Sequence, residues 1–428
     1  MTYLPKIRWW LMALLIAFAP FHAFLITWAK SLFAGAPVLI EILAVWREVI
    51  VLLIGIIIAV EFFSKKAGEK KFSPLNWDIL DLLIVLFTTL ALAGLAFRRG
   101  NMAQWLLGFR YDVVPLLFFL FVRHSNWESK NRLTKFALVS ATIVILFGLA
   151  HALLLPKDFL THFGYSTSQG EYQAGSAISA CQYLEHTDKV CRATSTFGGP
   201  TRYGTYLLLI LGLLLPFLFE KTKFRKYAIT LFALALASIV LTYSRSIWVG
   251  TLAAGIFTAF RLTPRKIVLK AILALLIFVG LWFFYSKLGN MWHFKGAEFP
   301  PPFVKTIFVR TGSTGEHMKL LKAGLEVATE NPFGVGLGKA GPASVRFSKF
   351  LTENWFLQIA VEMGVLGLAI FLGILWTFAK KLLAKKKDMV KFGLFLALLG
   401  IAVAGLFTHS FEETSAYLIL MAVIGLRY

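Results

Sequence analysis

Apolar stretches close to a membrane's thickness follow one another along almost the whole chain. That repetition constrains the fold more than any motif. A helical run of about 20 apolar residues spans the roughly 30 Å hydrocarbon core of a bilayer. Within hydrocarbon, every backbone N–H and C=O must be satisfied inside a helix or a closed barrel. The runs here are long and do not alternate, unlike the roughly ten-residue strands of a membrane barrel. An all-α polytopic membrane protein is therefore expected, as a single integral unit over residues 1–428. Composition agrees: 58% of residues are hydrophobic, 15% are charged and the mean hydropathy is +0.73.

Spans are expected at 9–29, 37–63, 78–97, 103–122, 133–155 and 201–219, then at 227–243, 247–260, 268–286, 353–379, 392–408 and 411–426. About 12 transmembrane helices result, with ten or eleven as the alternative counts. The weakest separation is at Ser244-Arg245, where one long bent helix would overrun a single bilayer thickness. The first run has no small-residue cleavage site behind it and is read as a retained span. Two polar stretches, 156–200 and 287–351, interrupt the pattern, and the second is expected to carry short helices between spans nine and ten.

The net charge of +22 invites a nucleic-acid reading, but its distribution argues against one. With Lys6 and Arg8 placed inside, alternate short loops carry Lys65, Lys66, Lys70 and Lys71, then Arg123, Lys130, Arg132 and Lys135. The same side receives Lys221 to Lys226, Arg261 to Lys270 and Lys380 to Lys391. This is the positive-inside pattern of a cytoplasmic membrane protein. Both termini are thus expected in the cytoplasm, and the two polar stretches outside. The only cysteines, Cys181 and Cys191, fall in the first outer stretch, where a disulfide is permitted.

Charge on the outer side is sparse and sits at span ends: Arg98, Arg99, Arg110, Asp112, Arg202, Arg245, Arg310 and Glu353. Guanidinium groups stay charged and bind phosphate oxygens bidentately, so these arginines point to an anionic ligand. Snorkelling to lipid headgroups is the plainer reading for Arg98 and Arg99. Arg310 precedes a turn-like run, Gly312 to His317, and an amphipathic helix is expected from Met318 to Thr329. The glycine-rich run Gly334 to Gly341 lacks the Gly-Lys-Ser/Thr ending of a nucleotide loop. It reads as a tight surface turn able to offer backbone N–H groups to a phosphate. No metal-ligand spacing and no Gly-x-Ser-x-Gly elbow occur.

Three runs then carry a resemblance. They are Glu330-Asn331-Pro332-Phe333-Gly334-Val335-Gly336-Leu337-Gly338, Glu353-Asn354-Trp355-Phe356-Leu357-Gln358-Ile359 and Glu362-Met363-Gly364-Val365-Leu366-Gly367. With Ser244-Arg245-Ser246 and the proline-containing entry at 197–204, they resemble the O-antigen ligase and polymerase superfamily. The resemblance implies a metal-independent, cofactor-free glycosyltransferase at the outer face of the inner membrane. Its donor would be a polyprenyl-diphosphate-linked glycan, and its acceptor another glycan or lipid A core, with a chain-length regulator as a further partner. Arg245 and Arg310 match the family's diphosphate-holding arginines, and Arg202 and Arg110 join them as outer cations. Where family ligases often carry His-Asn, this chain has Glu353-Asn354. The general base is therefore assigned jointly to His317 and Glu353, and the departure favours a polymerase. A transporter or lipid-linked glycan flippase is the rival reading. It is disfavoured because no internal repeat is evident and charge gathers at span ends rather than mid-span.

Overall fold

The computed structural model describes residues 3–68, 77–97, 101–167, 178–184, 190–219, 223–262, 311–347, 350–385 and 387–428. Helices account for all regular structure among them. The only β-pairings are isolated bridges, Ser166 with Ser179 and Tyr183 with Cys191.

In chain order the helices are α1 (Leu4–Phe18), α2 (His22–Leu32), α3 (Pro37–Ala44), α4 (Trp46–Gly68) and α5 (Ile79–Phe97). Next come α6 (Met102–Asp112), α7 (Val114–Arg123), α8 (Lys130–Leu153), α9 (Pro200–Phe219), α10 (Phe224–Leu241) and α11 (Arg245–Leu262). The last four are α12 (Thr311–Glu330), α13 (Trp355–Leu383), α14 (Met389–Ala404) and α15 (Thr414–Arg427). Residues 268–286, Arg98, Arg99 and Arg310 lie outside the described residues.

Among the described residues, five helical segments are long and apolar enough to cross a membrane, or seven when each bent pair is taken as one span. The bent pairs are α3 with α4, at 51°, and α6 with α7, at 45°. Continuous spans were expected at both places. Three further apolar helices are shorter: Ile79–Leu95, Met389–Ala404 and Thr414–Arg427. At 1.5 Å per residue, a helix of the length of α14 covers only about 24 Å. Around Ser244 the chain forms two helices rather than one bent one, since α10 ends at Leu241 and α11 starts at Arg245.

Lipid-facing helices gain little from hydrophobic association, so close backbone approach decides which pairs meet. α14 packs along α9 and α11, and Gly212 meets Gly393 while Gly250 meets Gly400. A Cβ at any of the first three would run into the partner's backbone. α15 is buried nearly all round, against α7 and α9, as expected of a helix that is apolar on every face.

The two ends of the bundle differ. At one end Arg8 bonds Glu61 and the Asn126 carbonyl, both at 2.5 Å. There Arg123 bonds Asp78 at 2.9 Å and Asp81 at 2.6 Å, and Lys381 and Tyr428 also reach Asp78. Burial alone would raise the Asp78 carboxyl, but the hydrogen bonds from Arg123, Tyr428 and Lys381 hold it well below the usual range. We call this the basic end, because the lysine-rich loops start and finish here.

At the opposite end, polar loop segments fold into the bundle. The stretch 156–200 is therefore not simply an outer polar loop: Ala193 to Phe197 are buried. The reason is a supply of backbone carbonyls on the neighbouring helical segments. Ala193 N donates to Leu241 O, Ser195 Oγ to Val144 O and Thr196 Oγ1 to Pro20 O. Cys181 and Cys191 form a disulfide just before this segment.

In the second polar stretch, α12 begins earlier than the periodicity predicts. Gly312 to His317 are helical, not a turn. The helix stops at Glu330, where Asn331-Pro332 follows.

Candidate functional site

A cavity of about 860 Å³ opens at the end away from the basic loops. Residues from both bends reach it: Arg47 just after the α3–α4 break, and Arg110 in the last turn of α6 before the α6–α7 break. A broken span puts charge at helix ends instead of against hydrocarbon, the usual way such residues are tolerated inside a membrane protein.

Arg47 is 4% exposed, and its Nη1 donates to Ser415 Oγ at 2.8 Å. The Ser415 hydroxyl donates onward to Ala19 O. Arg110 Nε donates to Glu48 at 2.7 Å, and its Nη2 donates to Ala44 O, at the end of α3. Arg202, in the first turn of α9, lies 4.0 Å from Glu413 and keeps 39% of its side chain exposed. Burial pushes the Glu412 and Glu413 carboxyls up, against the pull of Arg202. Arg47, Arg110 and Arg202 thus share this wall with Glu41, Glu412 and Glu413.

The turn between α14 and α15 adds a polar chain. Gln358 Nε2 donates to Glu412 Oε1 at 2.6 Å, which turns the amide oxygen toward His409 Nδ1, also at 2.6 Å. His409 Nδ1 must then carry the proton, leaving Nε2 as a lone-pair acceptor without a partner. Burial, reinforced by the nearby His317 charge, lowers the His409 pKa to about 3 and keeps the ring neutral.

His317 and Glu353, far apart in sequence, form an ion pair through Nδ1 and a carboxylate oxygen. Glu353 holds a left-handed backbone, with φ +51°, which is costly for a residue with a Cβ. The helix cap falls to Asn354 instead: its side chain accepts from Leu357 N and its Nδ2 donates to Leu406 O. Glu353 is thereby turned away from the α13 dipole and toward α12.

The remaining candidates are placed less directly. Arg245 opens α11 but does not line the cavity. Its neighbour Ser244 has its hydroxyl 3.2 Å from that of Thr201, which does.

The glycine run corrects its expected role. Gly338, Ala340 and Gly341 do offer their N–H groups to an anion, but that anion is the chain's own Glu362 carboxylate, at 2.8–3.1 Å. The run is largely buried, not a surface turn. It docks where α13 breaks at Gly364, φ +75°. Val335 N and Gly336 N satisfy the carbonyls of Val361 and Glu362 that the break releases. A Cβ on Gly364 or Gly334 would strike the facing backbone, which explains glycine at both crossing points.

Among the described residues, no three His, Cys, Asp or Glu side chains converge as a metal site. Sequence reasoning missed Arg47, His22, His409, Glu412 and Glu413 as wall residues. A signal existed for the first: Arg47-Glu48 interrupts an otherwise apolar run, and charge inside a span marks function by default.

Comparison with known proteins bears on this arrangement. The family described as O-antigen ligase matches residues 230–372. An O-antigen polymerase of Salmonella muenchen is 23% identical over 335 residues, covering 76% of this chain and 79% of that protein. The family match takes in Arg245, His317, Glu353 and the glycine run, and the longer alignment extends the likeness over most of the helices. On these grounds the chain, with several helices apolar and long enough to cross a membrane, is similar to the O-antigen ligases and polymerases.

Proposed function

We propose that the chain is a glycan polymerase that moves a polyprenyl-diphosphate-linked glycan onto an acceptor glycan at the outer face of the inner membrane. The observation that carries this reading is the convergence of Arg47, Arg110 and Arg202, from three separate helices, on one cavity. Its volume, about 860 Å³, is in the range of sites that enclose a small-molecule headgroup. The positive-inside rule puts the basic end and both termini in the cytoplasm, so the cavity opens outward.

In the reaction, an acceptor hydroxyl attacks the anomeric carbon, and the bond from that carbon to the diphosphate oxygen breaks. The leaving diphosphate gains negative charge, which Arg47, Arg110 and Arg202 offset, with Arg245 and Arg310 completing the set by resemblance. The hydroxyl's proton passes to the His317–Glu353 pair. The contact with His317 aims the Glu353 carboxyl. No metal or cofactor enters these steps, and the whole chain acts as one membrane unit.

Glu353-Asn354 in place of His-Asn, and the name of the Salmonella relative, favour polymerase. The family's description favours the second reading, a ligase joining the glycan to lipid A core. The test is the surface glycan of a deletion strain, resolved by length, with complementation by the intact gene and by Arg202→Ala. Loss of long chains with one repeat unit still attached to the core means polymerase. Full-length chains stranded on the lipid carrier mean ligase, and an unchanged ladder removes both. A chain-length regulator would reveal itself as a change in modal length, not in total transfer.

A further inference from the structure

The basic end contains a second cavity, of about 1050 Å³, which the transfer chemistry does not use. It lies between the start of α1, the last turns of α4 and α7 and the start of α8, with Trp77 and Asp81 closing one side. Its lining joins two kinds of surface. Trp10 and Phe63 remain 63% and 67% exposed, as suits rings at the level of lipid headgroups. Lys6, Lys130 and Arg132 are exposed on the rim, with no carboxylate partner among the described residues.

The inner wall is neutralised: Arg8 is paired with Glu61 and stacked over Trp127, and Asp81 is bonded by Arg123. His124 also faces Asp81, and Glu128 is the one exposed acid on the rim. Arg8 Nε, Trp9 Nε1 and Glu61 Oε1 are buried there without partners, which is unusual for polar atoms inside a protein.

We propose that this cavity is a binding site for an anionic phospholipid of the inner leaflet. The phosphate and its glycerol headgroup sit among Lys6, Lys130 and Arg132. The acyl chains run along the apolar surface of Trp10, Phe63 and Phe121. Charge complementarity selects the guest. The chain's own connection from 65 to 76 carries Lys65, Lys66, Lys70 and Lys71 against Glu69, so it is itself cationic and a poor match for a cationic rim. Basic pockets between helices on the cytoplasmic side are a recognised way of holding anionic headgroups. This site is independent of the transfer reaction, and its failure would leave the proposed function untouched.

The test uses the full-length protein purified in a mild detergent. Native mass spectrometry and thermal unfolding are recorded with added phosphatidylglycerol, cardiolipin or phosphatidylcholine. The expected result is retained and stabilising anionic lipid, weakened at least tenfold in Lys6→Ala/Lys130→Ala/Arg132→Ala and undisturbed in Lys70→Ser/Lys71→Ser. Equal binding of phosphatidylcholine would mean ordinary annular lipid and overturn the proposal. Unchanged anionic binding in the triple variant would place the lipid elsewhere and overturn it too. An equal loss in Lys70→Ser/Lys71→Ser would assign the effect to the loop and have the same consequence. Glycerol phosphate without acyl chains is expected to give no shift, because the apolar wall contributes to binding.

Discussion

Arginine does different work at the two ends of this bundle. Arg123 is 11% exposed and bonded to two carboxylates, the closer at 2.6 Å. Arg202 is 39% exposed, and the Glu413 carboxylate lies 4.0 Å away. The first is a structural clamp whose charge is spent inside the protein. The second is more exposed, lines the cavity and faces Glu413 at the longer distance. The lesson is that an arginine near a membrane surface is classified by what its neighbours have already neutralised, not by its position along a span.

The largest expected effect tests that contrast directly. Arg202→Ala should lower glycan transfer by about 10²–10³, the usual cost of removing one charge-stabilising donor, while the amount of folded protein in the membrane stays normal. Arg123→Ala should do the reverse. It leaves buried Asp81 with only His124 and the Asp78 N–H as partners, at up to about 3–5 kcal/mol of stability, with activity per folded molecule preserved. Thermal unfolding in detergent beside a transfer assay reads both; matching profiles would erase the distinction.

Within the cavity end, Glu353→Gln should reduce transfer far more than His317→Ala where Glu353 is the member of the proposed pair that accepts the proton. The opposite ranking in initial rates would exchange the two roles.

Gly364→Ala should cost stability without touching the arginines. The new methyl must displace the backbone at Pro332–Phe333 in addition to adopting φ +75°, a strain of about 1–3 kcal/mol from the dihedral alone. A melting temperature equal to that of the intact protein would show that the crossing can relax.

The smallest effect concerns acid. The folded state holds His409 near 3, below its ordinary 6.5, so the unfolded chain takes up a proton that the native protein refuses. That contribution is complete above pH 6.5 and is lost as the pH falls, at up to about 1.4 kcal/mol per pH unit. Between pH 6.5 and 4.5, the intact protein should therefore lose stability more steeply than His409→Gln. Parallel slopes would mean that the ring is reached by water.

Much of this was legible in the sequence, for identifiable reasons. Long apolar runs located the helices, since span length is a direct consequence of bilayer thickness. The stop at Asn331-Pro332 was legible because proline chemistry is local. The breaks within 37–63 and 103–122 were not, because an apolar run looks the same whether the backbone bends or not. Glu362 was hidden for a related reason. A nest of N–H groups does not announce whether its anion is a ligand or a side chain many residues away. His317 and Glu353 could be named as a pair, but their approach depends on α12 docking against α13, which no local pattern encodes.

The break at Gly364 has a mechanical consequence. An unbroken rod as long as α13 would carry any change in tilt along its full length, and helices tilt when bilayer thickness changes. Here the first nine residues, from Trp355 to Met363, are fastened to the glycine run by backbone hydrogen bonds and by the Glu362 carboxylate. They belong to the loop assembly more than to the rod. The remainder of α13 can then follow the lipid around it while Gln358 and the Glu353 turn stay in register with the cavity, so the spacing of the cavity's polar groups is insulated from the membrane that surrounds them.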